Sequence, residues 1–308
     1  MNDLERRLAE LTPEKRQALA KILRSRSSTK AASPNDAVLV NHDNSIPIES
    51  SARKVSWKTF YDKVSVQLDG NVFGEFSYFL NYGYVANGQP EFAAASLPEH
   101  YINRNSVKLV LEVIQDCPVE GKAVLDVGCG RGGTIHVFKT FFKPARMVGL
   151  DLSTKAIEFC RRAHKDPRVS FHEGDAENLP FEDGSFDIVS NVESSHSYPN
   201  IHSFYSEVHR VLAPGGYFLY TDALSHQRIT TAIAYLEHIG FELERDRDIT
   251  GNVLLSCDQI SKTRVQAFDS RNDSQVIENF LATPDSDVYQ ALKTNSWSYR
   301  IFKLRRRN

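Results

Sequence analysis

KAVLDVGCGRGG, residues 122–133, is the stretch on which the fold turns. Its first half, KAVLDVG, is an apolar run broken by one carboxylate and closed by a glycine. That suits a strand buried on both faces. Gly128, Gly130 and Gly133 then satisfy G-x-G-x-x-G, and a helix is expected from about Gly133. Glycines at this spacing let the backbone turn sharply and approach a ligand. Taken alone, the pattern also fits a nicotinamide dinucleotide site, with Asp151 as the acid about 20 positions on that binds ribose hydroxyls.

Working outward, strands and helices alternate. RMVGLDLS (146–153) reads as a second strand and TKAIEFCRRAHK as a helix capped by Ser153 or Thr154. VSFHEGDA and FDIVSNVE read as the third and fourth strands. IHSFYSEVHRVL is a helix stopped by APGG, followed by the strand YFLYTDAL. ITTAIAYLEHIG is a helix, FELERDRDI a sixth strand, and about 250–293 mostly helical. SWSYRIFKL (296–304) closes the chain as a last strand. Such alternation implies an α/β, doubly wound, mostly parallel Rossmann-like sheet of seven strands.

Two features separate the ligand alternatives. Asp126 lies inside the strand just before the glycines, where its charge would repel a pyrophosphate but suit an ammonium. EGDAENLPF then places Asp175 and Ala176 at the end of the third strand, where a carboxylate and a backbone N–H can read the adenine edge. Asp126, Asp151 and Asp175 therefore line the carboxyl edge at which open α/β sheets bind ligands. Each acid on its own is also explained as a cap of the following helix. All three at matching strand ends favour S-adenosyl-L-methionine, with S-adenosyl-L-homocysteine as its product.

VLDVGCGRGG, VGLDLS, GDAENLPFEDGSFDIV and HRVLAPGGYFLYTD resemble the ordered motifs of class I S-adenosylmethionine-dependent methyltransferases over about residues 55–305. By that resemblance Asp126 and the loop of Gly128, Cys129, Gly130 and Gly132 hold the methionyl end. Asp151 and Leu152 hold the ribose and adenine edge, Asp175 and Ala176 the adenine, and Asn191 sits beneath the cofactor. The resemblance also implies an antiparallel final strand. FLNYGY (79–84) and NVESSHSYP (191–199) resemble O-methyltransferases of polyketide and mixed polyketide–peptide assembly lines, and the mycobacterial phthiotriol dimycocerosate methyltransferases. These motifs imply a hydroxyl acceptor on a polyketide-type small molecule, free or bound to a carrier protein. C- or N-methylation of another metabolite or lipid, and a cofactor-binding module without catalysis, remain the alternatives.

An alcohol does not ionise at neutral pH, so its methylation needs a positioned base. His196, after the fourth strand, is the expected general base, since histidine ordinarily titrates near 6.5. Glu193 is its expected partner, and Asp222 in YTDAL is a rival from the neighbouring strand. His226 is the second candidate base. The aromatic stretch from Trp57 to Gly88, with Phe73, Phe76, Tyr78, Phe79, Tyr82 and Tyr84, reads either as core of a small cap or as a lid, with Tyr82 against the cofactor.

The remaining composition mostly excludes. The 308 residues carry a net charge of -2, with no surplus to attract nucleic acid or an anionic membrane. The basic KLRRR (303–307) reads as a solvated tail. Four dispersed cysteines fit reduced thiols, and no zinc spacing or other metal site is read. The N-terminus lacks the apolar core of a signal peptide and no run approaches a membrane span, so a cytoplasmic protein is expected. Residues 1–25 form an expected helical extension, in which LAELTPEKRQALAKIL resembles linker helices of such synthases. Residues 26–54 read as linker, 55–120 as a helical, aromatic lid, and 121–308 as the catalytic core with a substrate wall at about 250–293.

Overall fold

The computed structural model describes residues 50–70, 74, 77–88, 97–265, 268 and 274–308. The expected N-terminal helix, most of the expected linker, and Phe73 and Phe76 lie outside the described residues. The strands are β1 (Ala123–Val127), β2 (Arg146–Asp151), β3 (Val169–Glu173), β4 (Phe186–Val192), β5 (Leu212–Ser225), β6 (Phe241–Asp248) and β7 (Trp297–Arg306). They form one seven-stranded sheet in the order β3-β2-β1-β4-β5-β7-β6. β1 to β5 pair in parallel, and β7 inserts antiparallel between β5 and β6. The order reverses between β1 and β4, the switch point where α/β sheets receive ligands.

Nine helices are described: α1 (Ser50–Asp69), α2 (Arg104–Ile114), α3 (Gly133–Phe141), α4 (Thr154–Ala163), α5 (Ile201–Val211), α6 (His226–His238), α7 (Thr250–Val265), α8 (Ser274–Leu281) and α9 (Asp287–Lys293). Several start where a short polar side chain takes an unpaired N–H. Ser153 accepts from Ala156 for α4, Asn200 from Ser203 for α5, and Ser225 from Arg228 for α6. One sheet face packs Ile135, Phe138 and Ile157 with Leu109 and Val110; the other packs Phe204, Val208 and Leu236. Each such full burial is worth about 1.5–3 kcal/mol. A third, small cluster joins Val64 and Leu68 of α1 to Ile277 and Leu281 of α8, and roofs the carboxyl edge of the sheet.

Four expectations change. α1 begins at Ser50, so the last five residues assigned to the linker are helix. α2 packs against α3, β5 and β7 with nearly every side chain buried, as a layer of the core and not of a lid. APGG is more than a break between helix and strand: α5 does stop just before it, at Val211, but Ala213–Gly216 forms an irregular start of β5, where the register jumps from Phe186–Leu212 to Ile188–Tyr217 and Gly215 has φ of 73°. KLRRR is mostly strand and not a free tail, although Arg305 and Arg307 are exposed. Lys303 is buried in β7 between Asp116 and Glu244, because the antiparallel insertion covers the chain end on both sides. Among the described residues no helix is long and apolar enough to cross a membrane, and no cluster of side chains has the makeup of a metal site.

Candidate active site

A cavity opens at the switch point, over the carboxyl ends of β1, β2 and β4, and encloses about 1560 Å3 of space, its open mouth included. The sheet side of its wall holds Gly128, Cys129, Gly130, Asp151, Leu152, Asp175, Ala176, Glu193, His196 and Asp222. The sequence therefore brought most of its candidates to one place. Asp126, Gly132 and Asn191 lie behind that wall. Gly132 turns toward His164, whose ring is buried against the Arg131 carbonyl. Asn191 is fully buried under the glycine turn. Its amide donates to the Val127 carbonyl at 2.9 Å, the Ser194 hydroxyl at 2.7 Å and the Tyr198 hydroxyl at 3.1 Å. It knits β1 to β4 beneath the glycine turn.

The glycine loop is shaped by its own N–H groups. Gly128 and Cys129 donate to the Leu150 carbonyl, and Gly130 donates to Asp151 Oδ2 at 2.7 Å. Gly128 has φ of 69° and needs to be glycine for a second reason, since a Cβ there would sit 2.2 Å from Ser194 Oγ and 2.6 Å from the Tyr198 hydroxyl. Asp126 is buried. Its Oδ1 accepts from Ser190 at 2.7 Å, and its Oδ2 has no hydrogen-bond partner among the described residues. Burial, helped by nearby Asp151, pushes this carboxyl up to about 7 against the Ser190 and Thr134 hydroxyls. An orphaned buried carboxylate oxygen next to a glycine turn fits a cationic ligand. With Asp151 and Asp175 at the next two strand ends, the donor set suits an ammonium, a ribose and an adenine.

His196 sits in a single 3-10 turn, Ser195–Ser197, after β4. Its Nδ1 lies 2.9 Å from Asp222 Oδ1, and its backbone N–H donates to Asp222 Oδ2 at 3.0 Å. Asp222 is fully buried and also accepts from Ser195 Oγ at 2.6 Å and Ala223 N–H at 2.8 Å. The Ser195 hydroxyl in turn lies 2.7 Å from that of Tyr220, which touches Tyr205 at 3.2 Å. Burial would drive the imidazole pKa down, but the Asp222 charge outweighs it and holds it above the ordinary value. His196 in turn holds Asp222 low despite its burial. An ionised Asp222 fixes the neutral ring with the proton on Nδ1, leaving Nε2 to the cavity.

Glu193 does not hold His196, contrary to expectation. Its residue turns left-handed, with φ of 51°. The carboxylate takes the Tyr82 backbone N–H at 2.8 and 3.1 Å and the Tyr299 hydroxyl of β7. Burial pushes it up to about 7. Glu193 thus pins the segment 77–88, which is further held by Ser256 on the Tyr82 carbonyl and by Asn105 and Asn252 on the next residues. With Tyr82 and Tyr84 buried, this segment is a fixed wall. His226 is off the cavity wall, its ring 2.7 Å from the Asn295 carbonyl at the surface.

The other side of the cavity carries residues with no sequence motif. Trp57, Phe60 and Tyr61 of α1 face it with Phe280 of α8, Val288 of α9 and Trp297 of β7. The Trp57 ring meets His196 edge-on at 6.5 Å and stacks on Tyr61 at 5.9 Å. Arg131, an unremarked x of the glycine motif, is wholly buried. It donates to the Ser65, Gly74 and Ser77 carbonyls and to Asp69, and lies 3.5 Å over the Phe159 ring. It ties the glycine loop to α1, a role that only its spatial neighbours reveal.

Comparison with known proteins agrees with this geometry. Residues 125–220 match the methyltransferase domain family. A fatty-acid O-methyltransferase of Mycolicibacterium smegmatis is 37% identical over 226 residues, covering 73% of this chain and 81% of that protein. Phthiotriol/phenolphthiotriol dimycocerosates methyltransferase 1 of Mycobacterium ulcerans is 35% identical over 214 residues, covering 70% and 77%. The crystal structure of the [4+2]-cyclase SpnF superposes with a TM-score of 0.65 at 19% identity, over 82% of this chain and 97% of that one, and shares the fold. The dinucleotide reading of the glycine loop therefore lapses, and the chain belongs to the S-adenosylmethionine-dependent methyltransferases.

Proposed function

We propose that the protein methylates a hydroxyl group of a polyketide- or lipid-type molecule, with His196 as general base and Asp222 as the carboxylate that orients it. The observation that carries this reading is the Nδ1–Asp222 contact at 2.9 Å inside an aromatic, largely apolar cavity. When bound, S-adenosylmethionine supplies a methyl group made electrophilic by its sulfonium. In this reading Asp126 supplies negative charge from behind the glycine turn on the ammonium side, while Asp151 holds the ribose and Asp175 with Ala176 the adenine. His196 Nε2 takes the hydroxyl proton as the new C–O bond forms, and Asp222 stabilises the resulting imidazolium. Trp57, Tyr61 and Phe280 exclude water and hold the acceptor in line, where most of the rate gain of such a displacement arises.

A carboxylate acceptor is the second reading, favoured by the fatty-acid O-methyltransferase relative. Two features weigh against it. A carboxylate needs no base, and the acceptor end already holds Asp222 and Glu193. Among the described wall residues the two permanent cations, Lys54 and Arg131, are committed to carboxylates of the protein itself. Methyl-13C-labelled cofactor, offered with a hydroxylated polyketide-type ester and a fatty acid of equal length, separates the readings. An ether methyl carbon, lost about 10²- to 10⁴-fold in His196→Ala with homocysteine-cofactor binding intact, is the expected result. A methyl ester alone, formed equally well by His196→Ala, overturns it.

A further inference from the structure

Asp175 already has a partner. Its Oδ2 accepts from Lys54 Nζ at 2.6 Å, and the same ammonium lies 2.5 Å from Glu177 Oε2. Glu177 is a firm anchor: its side chain is 6% exposed, and its other oxygen accepts the Asn200 backbone N–H at 2.6 Å. Lys54 comes from outside the sheet, from the first turns of α1. Four residues on, Lys58 donates to the Thr154 hydroxyl and lies 3.4 Å from Glu173. Four further, Asp62 accepts from Ser153 Oγ at 2.6 Å and from the Lys155 N–H at 3.0 Å, beside Asp151. One stripe of α1 therefore lies along the carboxyl ends of β2 and β3. The adjacent stripe carries Trp57 and Tyr61 toward His196.

We propose that Lys54 is a cofactor-retaining residue: clamped between Asp175 and Glu177, its ammonium holds α1 shut over the adenosine end of the site and has to release before spent cofactor leaves. The proposal rests on the placement of adenine at Asp175 given above. The geometry supplies the reason. The clamp joins a helix that covers the cavity to the one strand end whose carboxylate faces adenine. The same helix supplies a wall of the acceptor space, so closing on the cofactor also builds the acceptor site. Cofactor and acceptor binding are thereby coupled through α1, and the coupling is reciprocal.

S-adenosylhomocysteine is the probe, and its association and dissociation are followed by stopped-flow tryptophan fluorescence, to which Trp57 on α1 contributes. Lys54→Met is expected to speed dissociation about tenfold, the worth of a partly exposed charge-assisted clamp, with association changed less than twofold. Glu177→Gln breaks the same clamp from the sheet side and is expected to act likewise. Lys54→Arg, which can still bridge two carboxylates, restores dissociation to within about threefold of wild type. Unchanged dissociation in Lys54→Met, or failure of Lys54→Arg to restore it, overturns the proposal. Asp175→Asn separates this from the underlying placement. If that variant loses affinity while Lys54→Met does not, only the clamp is wrong. If Asp175→Asn binds as wild type, the adenine placement itself is wrong.

Discussion

Asp222→Asn tests the charge arrangement around His196 with the loss of a single charge. Asp222 accepts four hydrogen bonds, two at each oxygen. Asparagine keeps one acceptor oxygen and puts an NH2 where the other stood. Placed at Oδ1, that NH2 faces the imidazole Nδ1 and the Ala223 N–H. The ring relieves the clash by moving its proton to Nε2, the atom to which the proposed mechanism gives the substrate proton. Placed at Oδ2, the NH2 faces the His196 N–H and costs a charge-assisted bond, about 1.5–3 kcal/mol of stability. In either pose the negative charge that favours imidazolium is gone. Turnover is expected to fall about 10²- to 10⁴-fold, which is about 2.7–5.5 kcal/mol of barrier. The pH profile shifts as well. In the wild type the imidazole is held above its ordinary value by Asp222, so activity rises with pH through an acid limb lying above about 6.5. Without that charge, burial dominates and the limb moves below about 6.5. The assay is kcat against pH from 5 to 9 with saturating cofactor, beside calorimetry of S-adenosylhomocysteine. An acid limb that stays put, or turnover within threefold of wild type with binding intact, refutes the base assignment.

Two further outcomes follow from the same site. Glu193 is buried with its pKa raised to about 7, so the wild type binds a proton more tightly folded than unfolded. Its contribution is therefore complete below about 4.5 and lost as pH rises through 7, whereas Glu193→Gln carries no such loss. Chemical denaturation at pH 5 and pH 8 is expected to show the variant gaining on wild type by about 1–3 kcal/mol; a constant difference contradicts the buried-carboxylate account. Gly128→Ala meets Ser194 and Tyr198 at a left-handed turn. It is expected to cost about 2–4 kcal/mol and to displace the His196 turn, read as a lowered Tm together with lost turnover.

Much of the sheet was legible because β1, β2 and β4 are covered on both faces and so read as apolar runs between turn signals. The carboxylates at the strand ends were legible for the same reason, being polar residues where a buried strand has no use for one. The orienter of His196 was harder. Glu193 is three residues away in the chain, yet β4 lies beside β5 with Val192 opposite Thr221, and this register delivers Asp222, not Glu193, to the ring. Glu193 points elsewhere because its backbone turns left-handed, which a non-glycine residue does not announce. Lys54 and Arg131 were missed because nothing local marks them. One ends a polar stretch and the other fills a variable place in a glycine motif, and their partners lie 121 and 62 residues away.

The two walls of the cavity have separate origins in the chain. The glycine loop and the His196–Asp222 pair belong to the strand–helix alternation, while Trp57, Phe60, Tyr61, Phe280 and Val288 come from elements set before or inserted after most of it. Selectivity for the acceptor is therefore modular. Exchanging α1 and the α8–α9 segment together would trade one acceptor repertoire for another, provided the new α1 keeps Lys54 for Asp175 and Asp69 for Arg131, the contacts by which it reaches the methyl-donor half. Exchanging either alone would break the Val64–Leu68 contact with Ile277 and Leu281 that seals the roof. Those two distant stretches should thus be inherited, and engineered, as one unit.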